Sequence, residues 1–487
     1  MNTNINWMAN ASRFGAALRC IFATTLRRQG NTEEALNGVG RWFSSSSTST
    51  AAYESLRTAS VKPSSAWTLA RQAFARRGMA TGIASSISQE LPLAGLAAGI
   101  SPGYRRALAW WLGGCSAWTF SMVVLGGVTR LTRSGLSMTD WKFTGESPPQ
   151  TAAEWDAEFA RYRQSPEFQK VNSTMTVDEF KFIYWMEWAH RWWGRGLGIA
   201  FVLPAAWFAA KGVVTRPLAK RLGLLLLMGG SQGLVGWWMV RSGLQEPKDN
   251  AVPRVSPYRL AAHLTSAFAI YATLVWTTLS IAFPAPSTVL AVGSQGSRAA
   301  GAVGRLALPV AGLVSITAIS GAFVAGLDAG HAYNTFPDMN GQWFPDEYWS
   351  VPGWKNAFES TAAVQLHHRV LALSTLASIL ALWRYGTSFT HLSKSSKTLL
   401  HLLGLGAMGQ VTLGVVTLLQ YVPVSLGSAH QAGALTLFTI MLSLLYSLRP
   451  LPTLLPIVAS TGSASAWATR AAFAATIGIG GAVAVSR

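Results

Sequence analysis

Eight stretches of this chain are apolar over a length that can cross a lipid bilayer. A helix needs about 20 such residues for this, and backbone polar groups in lipid are satisfied only within helices or closed barrels. Half of the residues are hydrophobic and only 12% are charged, which excludes an ordinary soluble domain. The sequence therefore predicts an all-α membrane protein with eight transmembrane helices. The predicted spans are 107–128, 183–209, 222–240, 259–283, 305–327, 362–383, 398–419 and 424–448.

The two ends of the chain differ from this pattern. Residues 1–80 contain ten Lys and Arg against three Glu, with a Ser/Thr-rich run at 44–50. This composition is typical of a mitochondrial transit peptide, and a disordered tail is the alternative. Residues 451–487 are interpreted as a C-terminal tail with a weak ninth apolar segment, which contains Arg470.

The net charge of +19 is spread over several regions of the chain. It does not form the single basic patch expected of a nucleic-acid-binding protein. The loops 129–182 and 328–360 carry most of the acids, and the loops on the other side are basic, so the positive-inside rule places both termini on the inner side. The inner basic residues are Lys211, Arg216, Lys220, Arg221, Arg298, Arg305, Arg384, Lys394 and Lys397.

The eight spans divide into two sets of four with a shared pattern. A pair of glycines nine residues apart ends spans one and five, and a glutamine precedes a glycine by four residues in spans three and seven. An even number of spans gives both sets the same orientation, so we expect two parallel four-helix repeats, 105–284 and 303–450. The matching residues are Gly126 and Gly135 with Gly321 and Gly330, and Gln232 and Gly236 with Gln410 and Gly414.

A histidine lies in each even-numbered span, about six to eight residues from its outer end. At 1.5 Å per residue this depth is roughly 10–12 Å. Ionisable residues inside a membrane are candidates for function, and two imidazoles facing each other in a helix bundle are the axial ligands of a six-coordinate heme iron. The sequence predicts two heme pockets near the outer surface, one from His190 and His263 and one from His368 and His430. Four unrelated histidines, each hydrogen-bonded to a neighbour, are the alternative.

The residues beside the histidines differ between the halves. Glu187 precedes His190 by three residues on the same helix face, whereas Gln365 holds the matching position before His368. A carboxylate can transfer protons or stabilise positive charge, so we predict that the first pocket is catalytic. An interfacial acid that merely pairs with arginine is the alternative.

Three arginines follow the histidines of spans two and six. Arg191, Arg195 and Arg369 are candidates for binding heme propionates, which are suitable carboxylate partners. Side chains that extend to the lipid headgroups are the alternative.

Loop 129–182 has the sequence of an ordered segment. Thr151 with Glu154 and Thr176 with Glu179 match the capping-box pattern. The first box opens a helix with one aromatic face, which we expect to cover the first pocket as a lid. That face consists of Trp155, Phe159 and Tyr162.

The other histidines and the two cysteines have no predicted role. His367 is next to His368 in sequence, but on a helix it points about 100° away from it. His331 lies in an outer loop, and His391 and His401 lie at the inner side. Cys20 falls in the predicted presequence and Cys115 in the first span, so no intramolecular disulfide is expected after maturation.

Three segments resemble heme A synthase of the mitochondrial inner membrane. They are the thirteen residues Gly126–Met138, the run Glu187-Trp-Ala-His-Arg191 and the run Gln365-Leu-His-His-Arg369. Together with the later single histidines, the resemblance spans about residues 105–450. It implies oxidation of one ring methyl of heme O, through an alcohol and a hydrated aldehyde, to the formyl group of heme A for cytochrome c oxidase assembly.

The resemblance also implies the roles of the two halves. The half with His368 and His430 holds a permanent heme b, and the half with His190, His263 and Glu187 receives heme O as substrate. Electrons come through the second-half heme from a ferredoxin-type donor. Heme O synthase is a candidate partner, a homo-oligomer is left open, and the pockets face the intermembrane space with both termini in the matrix.

Two positions depart from that family. Arg133 stands where the family commonly has an acid, so no role is carried over to it. The pair of outer-loop cysteines of many bacterial members is absent, which excludes redox chemistry by such thiols.

Two other functions fit parts of the pattern. A di-heme b-type cytochrome that only transfers electrons is the main alternative, but both pockets lie at one depth rather than stacked across the bilayer. A transporter with parallel repeats is the third interpretation, and the sequence shows neither the broken helices nor the midplane sites typical of that class.

Overall fold

The computed structural model describes residues 95–142, 144–246, 252–284 and 295–449. Within them, eight helices are long and apolar enough to cross a membrane, which confirms the eight predicted spans. These eight helices are α1 (Pro102–Leu131), α4 (Val177–Ala210), α5 (Arg216–Gly243), α6 (Pro257–Ala282), α7 (Gln295–Gly326), α9 (Thr361–Thr387), α10 (Lys394–Leu419) and α11 (Val424–Leu448). Three short helices lie in loops: α2 (Ala152–Tyr162), α3 (Pro166–Lys170) and α8 (Asn356–Glu359). The predicted transit peptide and C-terminal tail lie outside the described residues.

Several membrane helices begin earlier than their apolar spans. Helix α4 begins at Val177 rather than at 183, because Thr176 and Glu179 form a complete capping box there. Helix α7 begins at Gln295, so Arg298 and Arg305 lie on its first turns and not in a loop. His190 consequently lies nearly four turns from the start of α4, whereas we expected about two turns.

The membrane helices pack in two groups of four. In the first group α1 and α5 each pack against both α4 and α6, and in the second α7 and α10 each pack against both α9 and α11. The groups meet where α1 contacts α11 and where α6 contacts α7 and α11. The interpretation of the groups as parallel repeats stays a prediction.

Each group has an apolar core of its own. In the second group the core contains the small residues Ala299, Val303, Ala307 and Ala311 of α7. Small side chains let helix backbones approach closely, which is what drives association in lipid, where apolar burial alone does not. A third cluster, which includes Val123, Tyr271 and Leu435, joins the two groups along α1, α6 and α11.

Polar contacts also connect the two groups. The Tyr271 hydroxyl lies 2.8 Å from Thr439 Oγ1. Arg130 donates to the carbonyl of Ala325 at 2.8 Å and to the Asp328 carboxylate at 3.0 Å. These contacts place the C-terminal ends of α1 and α7 side by side.

Arg133 lies in the same contact region. Its guanidinium is 3.9 Å from the Asp328 carboxylate. Arg133 and Asp328 both have a left-handed backbone conformation, with φ of 53° and 52°, just after the ends of α1 and α7. The basic residue at 133 therefore has an acidic partner in the other group of helices.

The loop between α1 and α4 packs onto the first turns of α4. Both predicted capping boxes are present, and the predicted aromatic face of α2 packs against Phe180 and Tyr184. The chain that contacts α4 beside His190 is a different part of the loop, residues 137–146. This part of the loop is called segment 137–146, of which residue 143 lies outside the described residues. A lid over the first pocket stays a prediction.

Glu167, on α3, is buried within this loop. Its carboxylate accepts a hydrogen bond from the Tyr162 hydroxyl at 3.1 Å, and Asn172 donates to the same hydroxyl at 2.8 Å. Burial raises the pKa of Glu167 from 4.5 to about 7, and the negative charge of Glu187 adds to this effect. The nearby guanidinium groups of Arg130 and Arg133 act in the opposite direction.

This raised pKa makes the loop sensitive to pH. A carboxyl whose folded pKa lies above its unfolded value binds more protons in the folded state, so stability falls as pH rises between the two values. We expect proteolysis of the loop to become faster as pH rises from 4.5 to about 7, and Glu167→Gln to remove most of that change. Asp156→Asn, on the exposed side of α2, is the control. A Glu167→Gln profile that parallels the wild type would contradict this expectation.

Candidate functional site

Each of the four predicted histidines lies against a glycine of another membrane helix. The distance that matters is from an ideal Cβ at the glycine to the nearest ring atom, because it shows how little room a side chain would have. The contacts are Gly126 to His190 Nε2, 3.1 Å; Gly236 to His263 Cε1, 3.1 Å; Gly321 to His368 Cε1, 3.3 Å; and Gly414 to His430 Cε1, 2.7 Å. In all four contacts the glycine leaves the space that the imidazole occupies.

The histidines fall into the two predicted sets. His190 and His263 both belong to the first group of helices, and His368 and His430 both belong to the second. All four rings are half-buried, although they lie within the helix groups. Axial coordination of heme by either pair stays a prediction.

Three of the four rings have a polar partner at Nδ1. The amide nitrogens of Gln232 and Gln410 lie 3.2 and 3.1 Å from Nδ1 of His263 and His430, and each also donates to the carbonyl of the same histidine. Ser320 Oγ lies 2.7 Å from Nδ1 of His368. The Ser320 oxygen can accept from Nδ1–H of His368 and leave Nε2 to a metal, which is the usual arrangement of a ligating histidine. The amide nitrogens of Gln232 and Gln410 can only donate, so Nδ1 of His263 and His430 is the acceptor in those two contacts.

Glu187 is held at the junction of α4 and segment 137–146. Its Oε2 accepts hydrogen bonds from Ser137 Oγ at 2.8 Å and from the backbone N–H of Met138 at 2.9 Å. Its Oε1 is 2.6 Å from the Arg191 guanidinium. Only 3% of the residue is exposed, so the carboxylate is rigidly positioned one turn before His190.

Gln365 occupies the matching place in the second group but has different partners. Its amide nitrogen donates to the carbonyls of Ala329 and Tyr333, at 2.7 and 3.2 Å. Its oxygen accepts from Arg369 at 3.1 Å. Both positions therefore bind the following arginine and the neighbouring loop, but only the first carries negative charge.

The three candidate propionate-binding arginines all donate to loop carbonyls. Arg191 bonds to Met138 and Asp140, Arg195 bonds to Lys142, and Arg369 bonds to Tyr333, Pro337 and Asp338. The Nε of Arg369 is buried without a partner, which leaves a donor for another acceptor. Propionate binding by these arginines stays a prediction.

The neighbouring His367 has a separate environment. Its Nε2 lies 2.8 Å from the Tyr348 hydroxyl in the outer loop. Nδ1 of His401 accepts a hydrogen bond from Trp383 Nε1 at 2.9 Å. Neither ring joins the four histidines described above.

Sequence reasoning missed the side chains that support the site from other elements. Ser137 and the Met138 N–H bind Glu187, and Ser320 binds His368. One signal was present in the sequence: the glycine pattern aligns α1 with α7, and this alignment pairs Leu125 with Ser320, one residue before the glycine that faces a histidine.

Comparison with known proteins gives one consistent family. The model of the COX15-CtaA family, described as cytochrome oxidase assembly protein, matches residues 109–442. A heme A synthase COX15 of Arabidopsis thaliana is 52% identical over 441 residues, covering 87% of this chain and 95% of that protein. The Homo sapiens protein of the same name is 44% identical, covering 72% and 85%. A heme A synthase of Rhodospirillum centenum is 45% identical, covering 71% and 89%.

The contact between Gly414 and His430 can be tested by substitution. Gly414→Ala would place Cβ 2.7 Å from Cε1 of the ring, which is closer than carbon atoms pack, so the ring must move. We expect heme bound by the second group to be largely lost, as measured by heme content per protein and the low-spin absorption spectrum. Gly409→Ala on the same helix has no atom within 4 Å and should retain it. Full occupancy with an unchanged spectrum in Gly414→Ala would contradict the assignment.

Proposed function

Because this chain belongs to the COX15-CtaA family of cytochrome oxidase assembly proteins, we propose that it is a membrane oxidoreductase that converts heme O to heme A. In this reaction one ring methyl of the substrate becomes a formyl group. The observation that carries the proposal is the presence of two histidine pairs on membrane helices with a carboxylate, Glu187, beside only one of them. The relatives named heme A synthase align with this chain over most of its length.

The histidine environments fit heme as the bound group. The glycines clear space for each ring, and the Ser320 oxygen can accept from Nδ1 of His368 and leave its Nε2 free to bind iron. We propose that His368 and His430 hold heme b, and that His190 and His263 bind the substrate heme O. Heme b supplies one-electron transfer when bound. Two four-helix repeats in parallel orientation would give both pockets the same depth.

Glu187 is proposed as the catalytic residue. Hydrogen bonds and the ion pair engage both of its oxygens, and every partner can act as a donor. This arrangement favours a fixed negative charge that stabilises positive charge on the substrate, and such a charge acts more strongly in a poorly solvated site than in water. Gln365 cannot supply this charge in the second pocket.

The arginines are proposed to orient the substrate and the cofactor. Arg369, with its free Nε, would bind a propionate of heme b, and Arg191 and Arg195 would bind those of heme O. Because the same side chains hold segments 137–146 and 333–338, binding of a propionate would also stabilise these loops around the pockets. A ferredoxin-type electron donor, heme O synthase and a second copy of the chain are the partners proposed.

Conversion of heme O by the purified full-length protein tests the function. With a reductant and a ferredoxin-type donor supplied, extracted hemes should contain heme B and newly formed heme A, as identified by chromatography and mass. Two equivalents of heme B with no conversion would indicate a protein that only transfers electrons.

In the same assay, Glu187→Gln should lower turnover at least about 100-fold, a typical cost of removing one electrostatic stabiliser of the transition state, while both hemes still bind. The glutamine introduced at this position has one amide oxygen, which can accept from Arg191 or from the Met138 N–H but not from both. Gln365→Glu is the converse variant and should create no second site of conversion. Normal heme A formation by Glu187→Gln would leave this residue with a structural role alone.

Mitochondrial homologues and the eight apolar helices support a multi-pass protein of the mitochondrial inner membrane. We propose that both termini lie in the matrix and that the pockets open toward the intermembrane space. Among the described residues the one native cysteine, Cys115, is buried, so introduced cysteines report position. A membrane-impermeant maleimide applied to mitoplasts should label Ser173→Cys in the outer loop and not Lys211→Cys between α4 and α5. The reverse labelling would invert this topology.

A further inference from the structure

The two groups of helices differ at one position beside their first histidine. Ser320 of α7 precedes Gly321, the glycine that faces His368, and Leu125 of α1 precedes Gly126, the glycine that faces His190. The two positions therefore stand in the same relation to a histidine ring, and they differ in whether they offer a hydroxyl.

Ser320 fixes the protonation pattern of His368. Its Oγ donates its single hydrogen to the Thr317 carbonyl at 2.7 Å. The same oxygen lies 2.7 Å from Nδ1 of His368 and can only accept there. The ring proton is thereby held on Nδ1, and Nε2 keeps the lone pair that a metal requires.

His190 has no such support. Its ring makes no hydrogen bond with any residue in the part of the chain that the structure describes, since Leu125 has no hydroxyl to offer. The ring is also turned differently: Nε2 is its closest atom to the Gly126 position, at 3.1 Å, whereas Cε1 is the closest atom in the other three histidines. His190 thus presents a different edge of its ring to its glycine than the other three histidines do.

We propose that this pair of residues determines which pocket keeps its heme and which exchanges it. Ser320 is a positioning residue that orients His368, so heme b stays bound, and Leu125 leaves His190 free to release product. A hydrogen-bond partner on the second ring nitrogen orients a histidine and makes it a stronger ligand, and its loss typically weakens metal binding about 10- to 100-fold. The inference rests on the proposed function, which requires heme O to enter and heme A to leave one pocket only.

Transfer of heme to an excess of apomyoglobin measures this difference without turnover. The full-length protein is loaded with heme O in detergent, and the rates at which heme B and heme O leave are followed separately by chromatography. Ser320→Ala should speed loss of heme B about 10- to 100-fold and raise its midpoint potential, since a weaker donor ligand favours ferrous iron. Ser320→Thr keeps a hydroxyl and should restore both values.

A matched control lies on the same helix. Ser315 bonds only within α7, to the Ala311 carbonyl at 2.9 Å, so Ser315→Ala removes a serine hydroxyl without touching a histidine. The reciprocal variant is Leu125→Ser, which should slow loss of heme O. Leu125→Ala is its control, because it reduces the size of the side chain without adding a hydroxyl.

The outcomes distinguish this inference from the function it rests on. If Ser320→Ala behaves as Ser315→Ala does, or if Leu125→Ser releases heme O as fast as Leu125→Ala, the inference is wrong even though the protein binds both hemes. If the wild-type protein binds no heme O, the proposed function fails and the inference fails with it.

Discussion

A histidine ring that lies between apolar helices needs room, and a glycine on the neighbouring helix provides it because it has no side chain. The contacts between glycines and histidines meet this requirement at four places, and the tightest is Gly414 against His430, at 2.7 Å. Because each histidine and its glycine belong to different helices, the contacts also fix how the helices are rotated. The spacing of the helices, the direction of the rings and the room beside them all depend on these small residues.

The outer loops depend in turn on the residues that flank the histidines. Glu187 and Arg191 bind segment 137–146, and Gln365 and Arg369 bind the loop after α7. Buried polar groups of this kind are most stable when they are fully paired, and of these four side chains only Arg369 keeps a buried nitrogen without a partner. Both loops are thus positioned by side chains that lie next to a candidate iron ligand or one turn before it.

Similar architecture with different side chains gives the two groups different chemistry. Two of the differences lie beside the first histidine of each group: Glu187 against Gln365, and Leu125 against Ser320. The first pair places a negative charge in one group only, and the second supports one histidine only. Together they underlie the proposal of a reactive, exchanging pocket in the first group and a stable cofactor pocket in the second.

The sequence by itself determined the eight membrane helices, the placement of the four histidines, both capping boxes and the contrast between Glu187 and Gln365. These features depend on apolar length, helical periodicity and neighbours within a turn, all of which are local in the chain. Helix starts were less accurate, because α4 and α7 continue past their apolar spans on capped or basic turns. Only the tertiary structure decided which glycine faces which ring, that Ser137 and Met138 bind Glu187, and that Arg133 pairs with Asp328. Such contacts join residues far apart in the chain, and they follow from the rotation of packed helices and the path of the loops, which no local pattern specifies.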